Sequence, residues 1–317
     1  MILRGINFGP VLGASGVQNF FGEGYAFHKV TDPFKHLFNG IAFVSKTTTL
    51  KKRVGNMPLK KDGITPSELK PSCIKVKFRK GVVLNSVGLS GPGAIALLED
   101  GRWQKRTKPF FISFMAVGVT AEDRIRELSN FVLLLQQYLS RFNALVGLQI
   151  NYSCPNLGHH VDQDRLIYET KQGLSSASEL NIPLTLKFNA LTPVGIVKTI
   201  SEHKSCDAIC ISNTIPWGEL PNRIDWEGLF GSNVSPLAHL GGGGLSGVPL
   251  LPIVAEWVKQ ARDAGIRKHI NAGGGILCPN GVDLLYGAGA DSVSLGSIRI
   301  LRWWRMKETI KRAYELF

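Results

Sequence analysis

The sequence predicts a (β/α)8 TIM barrel, and three observations support that prediction. The 317 residues are 44% apolar and 19% charged, a globular composition at a length that can bury a core. Short β-branched or aromatic runs alternate with helical patterns, which is typical of parallel strands joined by right-handed crossovers. Eight such runs can close into a barrel, although an open doubly wound sheet also fits the alternation.

The predicted elements follow one another along the whole chain. Residues 1–40, rich in glycine and aromatic side chains, are expected to form an N-terminal hairpin or cap. The predicted strands are 41–45, 82–85, 110–114, 146–151, 184–188, 208–212, 269–272 and 292–295. The predicted helices are 122–140, capped by Thr120 and Asp123, and 163–180, 193–203, 249–264, 280–286 and 299–316. No repeat interrupts the pattern, so we expect a single barrel domain over residues 1–317.

Two connections are longer than the roughly 2–6 residues usual in α/β units. One follows the fourth predicted strand, over residues 152–162, and the other follows the sixth, over residues 213–248. Loops at the C-terminal ends of barrel strands are where active sites are built. We therefore expect both long loops to lie over the C-terminal face, beside the site.

Composition and charge narrow the classes of protein. The formal net charge is +13, with basic residues spread along the chain and no nucleic-acid-binding motif. A generally basic protein, an anionic ligand or an anionic surface would each fit this charge. The 5 cysteines are scattered, with no CxxC pair and no disulfide framework. With no signal or membrane-spanning pattern, the sequence predicts a cytoplasmic protein without a metal site.

Asparagines stand at the ends of several predicted strands. Asn85 ends the second strand, Asn151 and Asn156 lie at and after the end of the fourth, and Asn213 follows the sixth. Each alone could cap or turn the chain. At one end of a barrel, their amides would suit a planar ligand with alternating carbonyl and N–H groups.

Lys187 lies inside the apolar fifth strand, in the sequence LTLKFN. A buried lysine without a partner is costly. It could belong to a structural ion pair, or it could face a ligand that becomes anionic during a reaction.

Glycine-rich segments follow the last two strands. AGGGI covers residues 272–276 and LGS covers 295–297, and a further segment, GGGGLSG, covers 241–247. Barrels commonly hold phosphate beside loops seven and eight, where bare backbone N–H groups can approach it. Ordinary turns are the alternative, but the matched pair of glycine loops favours a phosphate site.

Cys154 stands in NYSCPN, in the long loop after the fourth strand. Most cysteines are buried and inert, and Cys206 and Cys210 fit that description as core residues of the sixth strand. Cys154 instead lies between Asn151 and Asn156 in a loop expected over the active site. We therefore interpret it as a functional residue.

These segments occur in the order found in one family of enzymes. NYSCPN, SKTTTLKKRVGNMP, LNSVGL, the lysine of LTLKFN, SNT, GGLSG, AGGGI and SLGS resemble the dihydroorotate dehydrogenases, from GPVLGASG at residue 9 to the last helix. The resemblance implies a single FMN-containing barrel that oxidises (S)-dihydroorotate to orotate in de novo pyrimidine (UMP) biosynthesis. Cysteine at position 154 is similar to class 1, because class 2 enzymes use serine. We also expect no N-terminal membrane-binding extension of the class 2 kind.

The resemblance implies roles for residues at the strand ends. Cys154 would remove the C5 proton of dihydroorotate as general base while hydride leaves C6 for flavin N5. The substrate-binding residues would be Lys46, Asn85, Val87, Gly88, Leu89, Asn151, Asn156, Asn213 and Thr214. The FMN-binding residues would be Ala14, Ser15, Gly16, Lys46, Thr47, Asn151, Lys187, Ser246, Gly247, Gly274, Gly275, Gly296 and Ser297, the last six around the phosphate.

Some positions depart from the family pattern, and some alternatives stay open. Leu251 stands where the family often has Lys or Arg, Asn189 follows the strand-five lysine, and residues 217–240 lack a clear counterpart. The electron acceptor could be fumarate, a quinone, or NAD through a partner flavoprotein, and we expect a homodimer without a nucleic-acid partner. Rival functions are a flavin-dependent dehydrogenase or reductase of another dihydropyrimidine, and a non-catalytic basic nucleic-acid-binding protein on a barrel scaffold.

Overall fold

The computed structural model describes residues 1–32, 36–152, 163–211 and 213–317, with backbone alone at residues 29 and 30. Its strands are β1 Ile2–Leu3, β2 Ile6–Asn7, β3 Val11–Gly13, β4 Ile74–Lys77, β5 Val82–Asn85, β6 Phe110–Phe114, β7 Val146–Asn151, β8 Leu184–Phe188, β9 Ala208–Ile211, β10 Ile215–Pro216, β11 Gly244–Gly247, β12 His269–Gly273 and β13 Ser292–Leu295. Its helices are α1 Ala26–Thr31, α2 Ala94–Glu99, α3 Ala121–Leu139, α4 Gln163–Ala177, α5 Val194–Ser201, α6 Trp226–Phe230, α7 Leu250–Asp263, α8 Pro279–Gly287, α9 Ile298–Leu301 and α10 Met306–Leu316.

Parallel strands curl into the predicted barrel. Seven of them pair in the order β3-β13-β12-β9-β8-β7-β6. The gap between β3 and β6 is closed by the segment at Ala42–Val44, where Ala42 pairs with Leu12 and Val44 pairs with Phe111, both in parallel. The Ala42 N–H donates to the Val11 carbonyl over 2.8 Å, and the Phe111 N–H donates to the Phe43 carbonyl over 2.9 Å. This segment takes the place of the eighth barrel strand, and the sheet is therefore a (β/α)8 barrel.

One predicted barrel strand is wrong. Val82–Asn85 does not enter the barrel, because it pairs antiparallel with β4 and β11 in a separate four-stranded sheet. Its place is taken by Val11–Gly13, which falls inside the predicted N-terminal cap. The run VVLN is buried in either arrangement, so its hydrophobicity could not reveal which sheet it joins. The predicted hairpin is confirmed, but only over β1 and β2.

The helices follow the predicted apolar spacing. Thr120 caps α3 through the predicted box, its side chain accepting from the Asp123 N–H while the Asp123 carboxylate accepts from the Thr120 N–H. The predicted helix over 299–316 is wrong as a single element, since the chain leaves helical geometry at Arg302 between α9 and α10. Within the described ranges, no helix is both long enough and apolar enough to cross a bilayer.

The barrel strands point apolar side chains outward, toward the helices, and polar side chains inward. Phe114 of β6 faces the helices and stacks on Phe131 of α3 at 4.1 Å. Alternate residues on the inner side, Ser113, Gln149 and Thr185, are register partners on β6, β7 and β8, and all three are buried. The barrel interior is therefore polar from its middle toward the C-terminal ends of the strands.

The N-terminal hairpin closes the opposite end of the barrel. Met1, Leu3 and Phe8 cluster with Leu12 and Phe111 at the N-terminal ends of the barrel strands. The Phe8 and Phe111 rings lie 4.2 Å apart. In the part of the chain that the structure describes, this apolar plug closes the N-terminal end, and the interior opens at the C-terminal ends of the strands.

Candidate active site

A cavity of about 1550 Å³ opens at the C-terminal ends of the barrel strands, as barrel architecture predicts. It brings together most of the residues that the sequence selects. The predicted residues that line it are Ala14, Ser15, Gly16, Lys46, Thr47, Asn85, Val87, Gly88, Leu89, Asn151, Lys187, Asn213, Thr214, Ser246, Gly296 and Ser297. Cys154 and Asn156 lie outside the described residues.

A small side cavity of about 50 Å³ adjoins the large one. It shares Ser246, Gly296 and Ser297 with the large cavity and adds Gly274 and Gly275. Gly247 lines neither cavity. Its carbonyl instead backs Gly275, so all the predicted phosphate residues belong to one group of loops.

Backbone packing explains why the side cavity needs glycine. Gly275 has φ +79, and a Cβ there would lie 2.5 Å from the Gly247 carbonyl oxygen and 2.9 Å from the Leu251 nitrogen. A Cβ on Gly296 would lie 3.0 Å from the Ala14 Cβ. The loops of Gly275 and Gly247 thus meet backbone to backbone, and Gly296 packs against Ala14. Backbone N–H groups of these loops can approach a small anion without a side chain between.

Lys187 is the buried cation of the site. It lies on β8 beside Asn151 of β7 and Cys210 of β9, and its side chain is 6% exposed. Burial lowers the pKa of Lys187, and the neighbouring Cys210 opposes that change. Among the described residues, Lys187 forms no ion pair, so the structural ion-pair interpretation gains no support.

Lys46 is a second lysine on the cavity wall. Its Nζ donates to the Ser90 carbonyl over 2.7 Å and lies 4.8 Å from the centre of the Phe20 ring. Burial lowers the pKa of Lys46 to about 8. A lysine with this pKa carries its charge through most of the neutral range and could attract a carboxylate.

A chain of hydroxyl groups supports the floor of the cavity near Lys46. Ser15 Oγ donates to the Ser45 carbonyl over 2.8 Å and lies 2.8 Å from Thr47 Oγ1. Thr47 Oγ1 lies 2.9 Å from Ser113 Oγ. These contacts fix the side chain of Thr47 and join the β3 loop to the Lys46 segment.

Three of the four predicted asparagines line the same cavity. Asn213 Nδ2 donates to Asn151 Oδ1 over 3.3 Å, and Asn213 Oδ1 accepts from the Thr214 N–H over 2.9 Å. Asn85 reaches the cavity from the four-stranded sheet, and its Nδ2 lies 3.4 Å from the Gly244 carbonyl. These amides suit a flat ligand with donors and acceptors on its edge.

The loop after β5 adopts an uncommon backbone. Gly88 has φ +67 and Leu89 has φ +60, and a non-glycine residue rarely takes that conformation. Such strain is commonly held at functional sites. The backbone of residues 87–89 is thereby turned toward the cavity it lines.

The structure also places residues on the cavity that sequence reasoning missed. Asn189, noted only as a departure, is 8% exposed and lines the cavity, and its Oδ1 accepts from the Leu191 N–H over 3.1 Å. Tyr25 lines the cavity and donates to the Gly16 carbonyl over 2.7 Å. The cluster GEGY could have indicated a glycine–aromatic loop near a ligand. Further residues on the wall are Glu23, Phe27, Lys60, Met115, Arg124 and Glu169.

The segment without a family counterpart builds a wall rather than a site. Trp217 lies 4.7 Å from Trp226 and 5.1 Å from Phe230, ring centre to ring centre. Together with the buried Leu237 these rings cover the four-stranded sheet. The segment therefore packs on β5, whose last residue is Asn85.

A family model for dihydroorotate dehydrogenase matches residues 3–315. The chain belongs to the dihydroorotate dehydrogenase family. Members of this family are FMN-dependent oxidoreductases that act on CH–CH groups in pyrimidine biosynthesis. The predicted family, fold and flavin dependence are thus confirmed.

Relatives of two kinds are similar to the chain. Dihydroorotate dehydrogenase B (NAD(+)), catalytic subunit, of Desulforudis audaxviator is 27% identical over 301 residues, covering 92% of this chain and 83% of the relative. Dihydroorotate dehydrogenase A (fumarate) of Lactobacillus delbrueckii subsp. bulgaricus is 28% identical over 297 residues, covering 91% and 83%. Both kinds agree with the class 1 resemblance.

A solved dihydroorotate dehydrogenase has the same fold. The crystal structure of the Eimeria tenella enzyme in complex with ferulenol superposes with a TM-score of 0.65 at 17% sequence identity. The match covers 98% of this chain and 82% of the Eimeria chain. It supports the barrel architecture.

The residues present fit FMN. The side cavity is bounded by glycines, and a Cβ on Gly275 or Gly296 would crowd the neighbouring loops that shape it, as expected of a phosphate cradle. The large cavity holds the Lys187 cation and the three asparagine amides at the barrel mouth. A phosphate at one end and a polar ring system near a buried cation match these two features.

Proposed function

We propose that this protein oxidises (S)-dihydroorotate to orotate as a class 1 dihydroorotate dehydrogenase, with Cys154 as the general base. The observation that carries the proposal is that two adjoining cavities bring together the glycine cradle, buried Lys187 and the three amides of Asn85, Asn151 and Asn213. No single one of these features would distinguish a flavin enzyme from another barrel.

Two groups of residues would hold the cofactor. Ser246, Gly247, Gly274, Gly275, Gly296 and Ser297 would surround its phosphate, and Ala14, Ser15, Gly16, Lys46, Thr47, Asn151 and Lys187 would contact its ring. When bound, FMN supplies the acceptor for the hydride that leaves C6 of the substrate. Lys187 would stabilise the negative charge that reduction places on the ring, in a site where burial strengthens that interaction.

The substrate would bind against the asparagine amides. Asn85, Asn151, Asn156 and Asn213, with Thr214, would hydrogen-bond the pyrimidine and its carboxylate, and the backbone of 87–89 would close over it. Lys46 would lie beside the carboxylate as a cation. Cys154 as thiolate would take the C5 proton, so that the C5–H electron pair can form the C5–C6 double bond as hydride departs.

Substitution of Cys154 tests the base. A free thiol titrates near ~8.5 and only the thiolate accepts a proton, so the rate of flavin reduction by dihydroorotate should rise with pH toward a plateau. Cys154→Ser should be slower across the neutral range, and Cys154→Ala slower still, by roughly 10²–10⁴-fold. The measurement is anaerobic stopped-flow reduction across pH.

Both variants should retain the ligands, because the cradle and the described asparagines are unchanged. FMN content and orotate affinity serve as the controls. A Cys154→Ala protein that reduces its flavin at the wild-type rate would show that Cys154 is structural and that the base lies elsewhere.

The electron acceptor and assembly are the finer parts of the proposal. Relatives named for NAD(+) and for fumarate are about equally similar to this chain, which supports fumarate and NAD through a partner flavoprotein as candidate acceptors. A quinone is the third candidate. Reoxidation of the reduced protein by each acceptor in turn distinguishes them. We also propose a homodimer, for which sedimentation at a mass other than twice the 34.7 kDa chain would be contrary.

A further inference from the structure

A row of polar side chains crosses the inner side of the barrel at the level of Lys187. Asn151, Lys187, Cys210, Asn271 and Ser292 are successive register partners on β7, β8, β9, β12 and β13. All five are buried, and Asn271 is 0% exposed. Asn151 and Lys187 reach the large cavity, whereas Asn271 lies behind them. No feature of the sequence singles out Asn271.

Asn271 joins the two parts of the site. Its Oδ1 lies 3.5 Å from Cys210 Sγ, and it also accepts a hydrogen bond from Ser294 Oγ. Cys210 is the neighbour of Lys187 across the sheet, and Ser294 lines the small cavity with Gly274 and Gly275. One buried amide oxygen thus touches the residue beside the cation and a residue beside the glycine cradle.

The hydrogen-bond network ends at His269. Burial lowers the pKa of His269 to about 4, so its imidazole is neutral at pH 7. Ser292 Oγ lies 2.8 Å from His269 Nε2, and the two atoms share one hydrogen bond in either imidazole tautomer. Asn271 Nδ2 donates to Ser292 Oγ over 2.8 Å, which leaves the amide oxygen on the side of Cys210 and Ser294.

The orientation of the Asn271 amide affects the surroundings of Lys187. A thiol has one proton, and an amide oxygen can only accept, so Cys210 donates its S–H hydrogen bond to Asn271 Oδ1. Its sulfur lone pairs are then left for the Lys187 ammonium, its register partner on β8. Without Asn271, the thiol proton could turn toward the ammonium and oppose its charge.

We propose that Asn271 is a positioning residue of the flavin site, which acts through Cys210 to keep Lys187 cationic and through Ser294 to fix the hydroxyl beside the phosphate cradle. This rests on the proposed function, because Lys187 matters only if a group that gains negative charge binds beside it. Asn271 touches neither ligand. Its effect should therefore show in the relative affinity for reduced and oxidised flavin.

The test is the midpoint potential of bound FMN in Asn271→Leu, measured anaerobically beside the wild type. Leucine has the same number and branching of side-chain heavy atoms as asparagine but lacks both hydrogen-bonding groups. We expect the variant to bind reduced flavin about tenfold more weakly relative to oxidised flavin, a shift of ~30 mV to lower potential for a two-electron couple. The Kd for oxidised FMN is measured in parallel.

Two further variants separate positioning from packing. Thr185→Val removes a buried hydroxyl on β8 that has no hydrogen-bond partner among the described residues, and it should leave the potential unchanged. Cys210→Ala should lower the potential as Asn271→Leu does. The double variant should shift it no further than either single change, because both act on the same contact.

The outcomes are distinct. An unshifted potential in Asn271→Leu with FMN fully bound, an equal shift in Thr185→Val, or additive shifts in the double variant would each overturn the positioning role. If Asn271→Leu does not fold, an unshifted potential in Cys210→Ala overturns it instead. Wild-type protein that binds no FMN would overturn the proposed function and this inference together.

Discussion

Two lysines at the same cavity differ in what surrounds their charge. Lys46 has a carbonyl acceptor from Ser90 and the face of Phe20, and burial lowers its pKa to about 8. Among the described residues, Lys187 has no carboxylate partner and no oxygen acceptor for its Nζ, and its neighbour across the sheet is Cys210. A buried cation without an anionic partner is costly to the fold, and binding an electron-rich ligand would offset that cost. Function is therefore the better explanation of Lys187.

Substitution of Lys187 by methionine should separate the effect of its charge on the stability of the fold from its effect on the reaction. Removing a buried charge while keeping the length of the side chain should leave the protein as stable or more stable. FMN reduction by dihydroorotate should slow by about 10²-fold, because charge on the reduced ring loses its stabilising cation. Urea unfolding and single-turnover reduction are the two measurements.

Lys198→Met on the exposed face of α5 is the matched control and should change neither quantity. A Lys187→Met protein with full flavin content and an undiminished reduction rate would remove Lys187 from the mechanism.

Residue chemistry is the part of the site that the sequence predicts best. Asn85, Asn151, Asn213 and Lys187 stand out because polar residues at the ends of apolar strands need a reason, and all four line one cavity. Asn271 and Cys210 do not stand out as functional residues. Their importance depends on which strands are neighbours, and that pairing order is not visible in a single strand.

At the scale of elements, the glycine loops hold the site together. The loops that contain Gly247 and Gly275 approach so closely that a Cβ on Gly275 would meet the Gly247 carbonyl. The loop that contains Gly296 packs against Ala14. Their left-handed or crowded positions are typical of backbone that must approach a ligand. The pattern of glycine after the last two strands is enough to predict this, because its cause is local.

Gly275→Ala should weaken FMN binding strongly. The added Cβ would lie 2.5 Å from the Gly247 carbonyl oxygen, which must move and open the cradle. We expect the Kd for FMN to rise at least tenfold, with an unfolding free energy lower by more than the ~1–2 kcal/mol that the left-handed backbone alone costs an L residue. Fluorescence titration with FMN and urea unfolding measure the two effects.

Gly218→Ala is the matched control for this change. Gly218 has φ +85, a Cβ added there would have no atom within 4 Å, and the residue lines neither cavity. The variant should carry the same backbone cost without loss of FMN affinity. Equal FMN affinity in Gly275→Ala and Gly218→Ala would mean that the phosphate binds elsewhere.

The order of the strands is the part of the fold that local patterns could not supply. The run at residues 82–85 has the pattern of a barrel strand, yet it belongs to the antiparallel sheet over the barrel mouth. Val11–Gly13 is too short to be recognised as a strand in the sequence, but its parallel pairing with β13 makes it a barrel strand. Strand pairing is a long-range property, so hydrophobic periodicity identifies strands without assigning them to a sheet.

At the scale of the whole molecule, two buried histidines make stability depend on pH. His28 and His269 are partly or fully buried, and burial lowers their pKa values to about 3 and about 4. In the unfolded chain both titrate near ~6.5, so between these values the unfolded state binds protons that the native state does not. Stability should therefore fall as the pH drops below ~6.5 and be independent of these groups above it.

We expect the free energy of unfolding to fall by about 2 kcal/mol per histidine between pH 7 and pH 5. Urea unfolding at the two pH values measures it. His28→Gln and His269→Gln should each flatten part of the dependence, whereas His239→Gln, at a group outside the core, should not. A wild-type stability that is equal at pH 7 and pH 5 would contradict the buried, neutral state of both rings.

Whether this barrel is a dihydroorotate dehydrogenase is decided by anaerobic titration of the purified protein with (S)-dihydroorotate. The expected result is a yellow protein that releases FMN on denaturation, whose flavin absorbance is bleached by one equivalent of dihydroorotate per chain with one orotate formed. A protein without flavin would contradict this. So would a bound FMN that dithionite reduces and dihydroorotate does not.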